Sequence, residues 1–182
     1  MVDLMILPII IAAIAVPITV VRFLMLKVDI HETFHTFIHS NDRQKIYDQI
    51  CNPETHGEAQ PFIKHMKVKH RNLETSSAEF IEYVPVVKFL NWNTKVVADV
   101  NFTYQPKNFV IHTTVFPRFA NLIRMDSTIT VYETNADNNI LLKEDFVVNL
   151  PLCLTWYTRR SLIKAQTHKM LYFKQKFEQI KS

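Results

Sequence analysis

Residues 31–39 read HETFHTFIH, and the first five, HETFH, fit the H-E-x-x-H pattern of zinc metallopeptidases. The fold turns on how this stretch is wound. On a helix, one turn separates His31 from His35, so both can reach one metal ion with Glu32 beside a metal-bound water. Ile30, Phe34, Phe37 and Ile38 would then form the apolar stripe. On a strand, residues 31, 33, 35, 37 and 39 share one face, and the histidines become a wet, titratable ladder.

The strand is the stronger reading. Val28, Ile30, Phe34 and Ile38 are apolar at even positions while the odd ones are mostly polar, a period of two interrupted at Glu32 and Phe37. Asp29 puts a charge where the extended peptidase pattern takes an uncharged residue, His39 lies too close to be the third ligand, and no glycine follows. Glu54 or Glu58 could be an acidic ligand, but neither sits in a second recognisable motif. Only about 25 residues separate this segment from the first convincing sheet strands, which leaves little room for a helical zinc subdomain. A peptidase using His31, Glu32 and His35 is the minor alternative, and the three histidines of a strand face could still hold a metal adventitiously.

Immediately upstream, residues 4–21 form an 18-residue run without a charge, and FLML after Arg22 extends it to about 22 residues. At 1.5 Å per residue such a helix spans the roughly 30 Å hydrocarbon core of a bilayer. A cleaved signal peptide competes with this reading, but Asp3 stands where a basic n-region is needed and no clear small-x-small site follows. Pro8 and Pro17 are tolerable in a bilayer helix. Residues 1–27 are therefore expected to be a transmembrane anchor and residues 28–182 the working domain. Arg22 and Lys27 flank the downstream side only, which places that domain in the cytosol by the positive-inside rule. The sequon at Asn101 would argue for a lumenal side if it were glycosylated, but it falls inside an apparent strand and occurs at about the chance frequency.

The 182-residue chain, 48% hydrophobic, has room for one domain with a core and a short appendage. Its net charge of +4 and pI near 9.0 favour anionic surfaces without naming one. The two cysteines, Cys51 and Cys153, exclude a disulfide framework and cysteine-based zinc modules, and they suit a reducing compartment. Gly57 is the single glycine, so P-loop and dinucleotide-binding loops, which need glycine against the phosphates, are excluded.

Downstream of His39, Ser40, Asn41 and Asp42 offer N-caps for a short helix over RQKIYDQIC, ended by Asn52-Pro53; PETHGEAQPF is a loop or a second short helix closed by Pro61. Strand signals follow. The clearest is TKVVADVNFTY, residues 94–104, with Val96, Ala98, Val100, Phe102 and Tyr104 on one face and polar residues mostly on the other. IKHMKVKH and AEFIEYVPVVKFLNW precede it; FVIHTTVF, MDSTITVYET and NILLKEDFVVNL follow, with Asn-, Pro- and Asp-rich turns between. Short links between successive strands imply an antiparallel meander. The last 32 residues contain no proline after Pro151 and predict a long amphipathic helix, its stripe drawn by Leu152, Trp156, Ile163, Met170, Phe173, Phe177 and Ile180. Seven Lys or Arg against the one acid Glu178 make it basic.

This order of elements, a strand, a short helix or two, a curled antiparallel sheet of about six strands and a long C-terminal helix, resembles the START-like superfamily, also called SRPBCC or helix-grip proteins. SNDRQKIYDQICNPETHGEAQPFI is similar to the superfamily's opening segment: polar cap, helix with an Ile-Tyr pair, Asn-Pro-Glu, then a proline before the second strand. The resemblance covers residues 28–182. It implies an α+β fold with a curved antiparallel sheet wrapped on the long helix, and a cavity between them for a lipid, sterol, polyketide or other hydrophobic small molecule. Such a protein binds or transfers its ligand; a non-catalytic, membrane-tethered interaction module on the same fold is the alternative. The candidate cavity residues are Trp92, Phe102, Tyr104, Phe116, Phe119, Met125, Trp156 and Met170, with Thr155, Arg159 and Gln166 as polar groups that interrupt the helix stripe and could orient a ligand. No cofactor and no catalytic residue is expected. The basic helix could rest on anionic lipid, which together with the anchor makes the membrane the expected partner. Nucleic acid is not expected, because no aromatic platform or known motif accompanies the charge.

Overall fold

The protein is described by a computed structural model at residues 17, 20–40, 42–87, 92–118, 122–134 and 139–179, and the side chains of 84–87 and 92–94 are left out of that description. Most of the expected anchor, Phe119 and Ile180 lie outside the described residues. Among the described residues, no helix is long and apolar enough to cross a membrane.

HETFHTFIH is a strand. β1 (Lys27–His39) pairs antiparallel with the last strand along its whole length, from Lys27 opposite Pro151 to His39 opposite Asn139. Its burial alternates as the period of two predicts: Ile30 and Ile38 are inside and His31, His35 and His39 outside. Two short helices follow. Asp42 caps α1 (Arg43–Ile50) by accepting from the Lys45 amide at 2.8 Å, and α2 (Pro53–Ala59) starts with Asn52 as cap and Pro53 at its first turn. Gly57 has a packing role. A Cβ there would come within 2.8 Å of Met66 Sδ, so the absent side chain lets α2 lie close on the next strand.

Six strands then run in sequence: β2 (Ile63–Arg71), β3 (Thr75–Val87), β4 (Trp92–Gln105), β5 (Val110–Pro117), β6 (Arg124–Glu133) and β7 (Asn139–Pro151). The sheet order is β1-β7-β6-β5-β4-β3-β2, antiparallel throughout, so the meander brings β7 back beside β1 and leaves β1 and β2 as edges. Register shifts in β2 and β3 insert extra residues that bend this side of the sheet. A 3-10 turn, Leu152–Leu154, leads into α3 (Thr155–Gln179), which lies across the concave face and packs on β1 and α2.

The apolar stripe of α3 is turned from the one expected. Its inward residues are Leu162, Ala165, Gln166, Lys169, Met170, Phe173 and Phe177, whereas Trp156 is 72% exposed and Ile163 is 42% exposed. Gln166, a polar interruption of the stripe drawn on hydrophobicity alone, and Lys169, one of the basic residues of the helix, hold the inner face. The C-terminal half of α3 closes a solid core with Ile38, Ile46, Tyr47, Ile111, Ile129, Ile140 and Leu142, while the N-terminal half stands over a hollow.

Candidate functional site

The hollow is a partly open cavity of about 710 Å³ between the sheet and the first half of α3. Strand register builds its floor. Phe102 of β4, Thr113 of β5, Ser127 of β6 and Phe146 of β7 are successive cross-strand partners and form one inward row. Val100, Val115 and Met125 make the next row toward the mouth. Tyr157, Thr158, Ser161, Leu162, Ala165, Gln166 and Lys169 form the roof, α2 contributes His56, and Phe62, Ile63 and Met66 wall the side at β2. The lining is chiefly apolar and the volume falls within the range of small-molecule sites, roughly 300–1,000 Å³.

A cluster of polar groups stands where the cavity meets the solid core. Lys169 Nζ donates to both carboxylate oxygens of Glu144, at 2.8 and 2.9 Å, and Ser127 Oγ donates to Glu144 Oε1 at 3.1 Å. Both charged side chains are buried, so the pairing and the extra hydrogen bond offset a desolvation that neither ion would survive alone. His56 Nε2 donates to the Ile50 carbonyl at 2.8 Å, and its ring packs on Phe102 and Phe173. Burial, reinforced by the charge of Lys169, lowers the His56 pKa to about 3, so the ring is neutral. Glu82 lines the cavity from β3, and burial raises its carboxyl pKa. Of the buried side-chain atoms without a hydrogen bond among the described residues, two belong to the lining: Gln166 Oε1 and Thr113 Oγ1. Leaving such an atom unpaired costs about 1–3 kcal/mol.

Of the candidate residues, Phe102, Met125 and Gln166 line the cavity. Tyr104 and Met170 point inward but belong to the solid core, Tyr104 in a close hydrogen bond with Ser76. Three side chains face solvent instead. Phe116 sits on the outer face of β5, because inward positions on that strand are odd, and it lies under the Arg124 guanidinium. Trp156 projects outward from the first turn of α3, and Arg159 reaches the edge strand, where its Nε donates to Glu32 Oε1 at 2.6 Å. Thr155 is half-buried at the start of α3, outside the cavity lining. Trp92 opens β4, and its side chain lies outside the described residues.

The pairing of Glu32 with Arg159 also decides the zinc question. His31 and His35 are on the outer face of β1, separated by four residues of extended chain, on the order of 13 Å. Glu32 points the other way, so the three cannot surround one ion. Among the described residues there is no group of three or more metal-ligating side chains.

The Lys169–Glu144 pair, Thr113 and His56 were not singled out from the sequence, yet one signal was there. In β7 the inward register runs Ile140, Leu142, Glu144, Phe146, Val148, Leu150, so Glu144 is the only charge in a strict apolar alternation. A charge in that position requires a buried partner.

By sequence the chain matches no family model and no curated protein. By structure it is similar to TTHA0849 from Thermus thermophilus, with a TM-score of 0.68 at 9% identity over 84% of this chain and 100% of that one. It is also similar to the Zhui aromatase/cyclase from a Streptomyces species, with a TM-score of 0.60 at 11% identity over 83% and 94% of the two chains. A START superfamily protein from Mycobacterium smegmatis gives a TM-score of 0.58 at 13% identity over 82% and 98%. With the curved seven-stranded antiparallel sheet and the long C-terminal helix, these likenesses establish that the chain has the START-like, or helix-grip, fold.

Proposed function

We propose that the protein binds a lipid or other hydrophobic small molecule in the cavity between sheet and α3, and that it does so tethered to a membrane by residues 1–27. The observation that carries this reading is the cavity of about 710 Å³, chiefly apolar, with a buried Lys169–Glu144 pair at its inner end. A domain with a filled interior would have favoured the interaction-module alternative. That neighbours of this fold include a START superfamily protein and an aromatase/cyclase supports ligand binding in the general sense.

Membrane association rests on chemistry at one end of the molecule. The uncharged run of residues 4–21 leads into Val20, Val21, Phe23, Leu24, Met25 and Leu26, all exposed apolar side chains. The Leu152 amide donates to the Leu26 carbonyl at 2.8 Å, which ties this segment to the start of α3. There the outer face of the helix carries Trp156 and Ile163 among Arg160 and Lys164, a mixture suited to the interfacial zone of an anionic leaflet. Arg22 and Lys27 orient the domain to the cytosol, and lipid transfer between membranes is the use such a tethered binder best fits.

The test uses the full chain in nanodiscs. Native mass spectrometry is expected to find an apolar small molecule bound to the protein, and fluorescent lipid is expected to move between donor and acceptor vesicles only when the protein is present. Ala165→Phe, which plugs the roof, should abolish both. Empty protein and no transfer would overturn the proposal.

A further inference from the structure

At the inner end of the cavity the two charges are committed to each other, and two neutral polar groups are not. Lys169 is the one cation in the described lining, and both of its contacts with Glu144 are direct. A ligand carboxylate or phosphate placed there would meet Glu144 without a spare cation, and a ligand ammonium would meet Lys169 without a spare anion. Glu82, the remaining acid, is remote from this end. It lies six residues along β3 from Ser76, the cross-strand partner of Phe102, on the order of 20 Å away along the strand.

Gln166 is 4% exposed and Thr113 is 9% exposed, both line the cavity, and neither Gln166 Oε1 nor Thr113 Oγ1 has a partner among the described residues. They belong to the same end as the ion pair. Thr113 stands directly opposite Ser127, which donates to Glu144, and Gln166 lies one helical turn from Lys169. A bare carbonyl, as in a ketone or ester, lacks the hydrogen that Gln166 Oε1 needs. A hydroxyl supplies that hydrogen and also an acceptor for the Thr113 hydroxyl.

We infer that the inner end of the cavity, at Gln166 and Thr113 beside the Lys169–Glu144 pair, is a subsite for a neutral hydroxyl, so that the ligand is a long apolar alcohol and not a fatty acid or a phospholipid. This rests on the reading of the cavity as a ligand site, and it names the class of molecule the site selects.

Three probes of equal chain length, a long-chain alcohol, the matching carboxylic acid and the matching hydrocarbon, each with a mid-chain diazirine, test it. They are photolysed with the full chain in phosphatidylcholine nanodiscs, and labelling is mapped to the peptides bearing Phe102, Met125 and Phe146. The alcohol is expected to label these peptides about tenfold more than either of the others, the preference of one buried hydrogen bond. Gln166→Leu should lower alcohol labelling about tenfold while hydrocarbon labelling is kept or raised, which shows that the cavity remains intact. Thr113→Val should act in the same direction and less strongly. Equal labelling by all three probes, stronger labelling by the acid, or a preference that survives both substitutions would overturn the hydroxyl subsite and leave the cavity reading standing. Absence of labelling by every probe would overturn both.

Discussion

The two halves of α3 present opposite kinds of side chain to the same concave sheet. From Met170 onward the inward positions carry Met170, Phe173 and Phe177, and these side chains fill the space down to Ile111, Ile129 and Leu142. Before Lys169 the inward positions carry Thr158, Ser161, Leu162, Ala165 and Gln166, and the space is open. The floor follows the same division, with Thr113 and Ser127 beneath the hollow half and Ile111 and Ile129 beneath the filled one. Whether this fold is hollow is therefore decided by side-chain volume along one helix. Lys169 and Glu144 stand at the boundary and mark where one regime gives way to the other.

The largest effects should come from exchanging the two regimes. Phe173 is fully buried and stacks on Phe177, so Phe173→Ala opens a void in the solid half and is expected to cost about 3–5 kcal/mol in chemical denaturation. Ala165→Phe adds a larger side chain where the hollow can take it, and stability is expected to stay within about 1 kcal/mol of the original. Equal destabilisation by the two changes would mean that the first half of α3 is as tightly packed as the second.

The boundary can be broken from either side. Lys169→Met removes the cation and strands Glu144 inside the domain, with an expected loss of about 3–5 kcal/mol. Adding Glu144→Leu removes the stranded charge and should recover most of that loss, because an apolar pair of similar volume needs no compensation. If the double substitution is no more stable than Lys169→Met alone, the pair is held by more than mutual neutralisation.

How far this division was legible in the sequence differs between sheet and helix. In a strand, side chains alternate strictly, so Val96, Ala98, Val100, Phe102 and Tyr104 could be assigned to one face, and all but Val96 are buried there. β1 was readable for the same reason, and the strand geometry of its histidines followed from parity alone. In α3 the inward face is about a third of the circumference, and the helix carries apolar residues around more than that. Trp156 and Ile163 match the spacing of Phe173 and Phe177 well enough to draw a stripe, but the sheet accepted Gln166 and Lys169 in their place. That choice depends on Glu144, a residue on another element, and no local period contains it. The cavity was equally out of reach of periodicity, since it is a sum of volumes over six strands and two helices.

A smaller loss than those at Phe173 and Lys169 is set by pH at His56, which touches both regimes: its ring packs on Phe102 of the cavity floor and on Phe173 of the solid core, and it faces Lys169. In the folded chain its pKa is lowered to about 3 from the ordinary 6.5, by burial first and by Lys169 second. Between those values the unfolded chain binds the proton and the folded chain does not, so stability is fully present above pH 6.5 and declines as the pH falls toward 3. The loss between about pH 6.5 and 5 is expected to be on the order of 2 kcal/mol. His56→Gln keeps a donor for the Ile50 carbonyl and removes the titration, so its denaturation midpoint should be nearly flat across that interval while the original declines. The carboxylates of Glu58, Glu79 and Asp99, whose pKa values are lowered by Lys and Arg partners, add their own loss only at more acid pH. Glu82, whose carboxyl pKa is raised by burial, gains stability as the pH falls and is present in both proteins, so the difference between the two profiles from 6.5 to 5 isolates His56. A decline of equal slope in His56→Gln would assign the acid sensitivity elsewhere. A flat profile would place it at the junction where the filled half of the domain meets the hollow one.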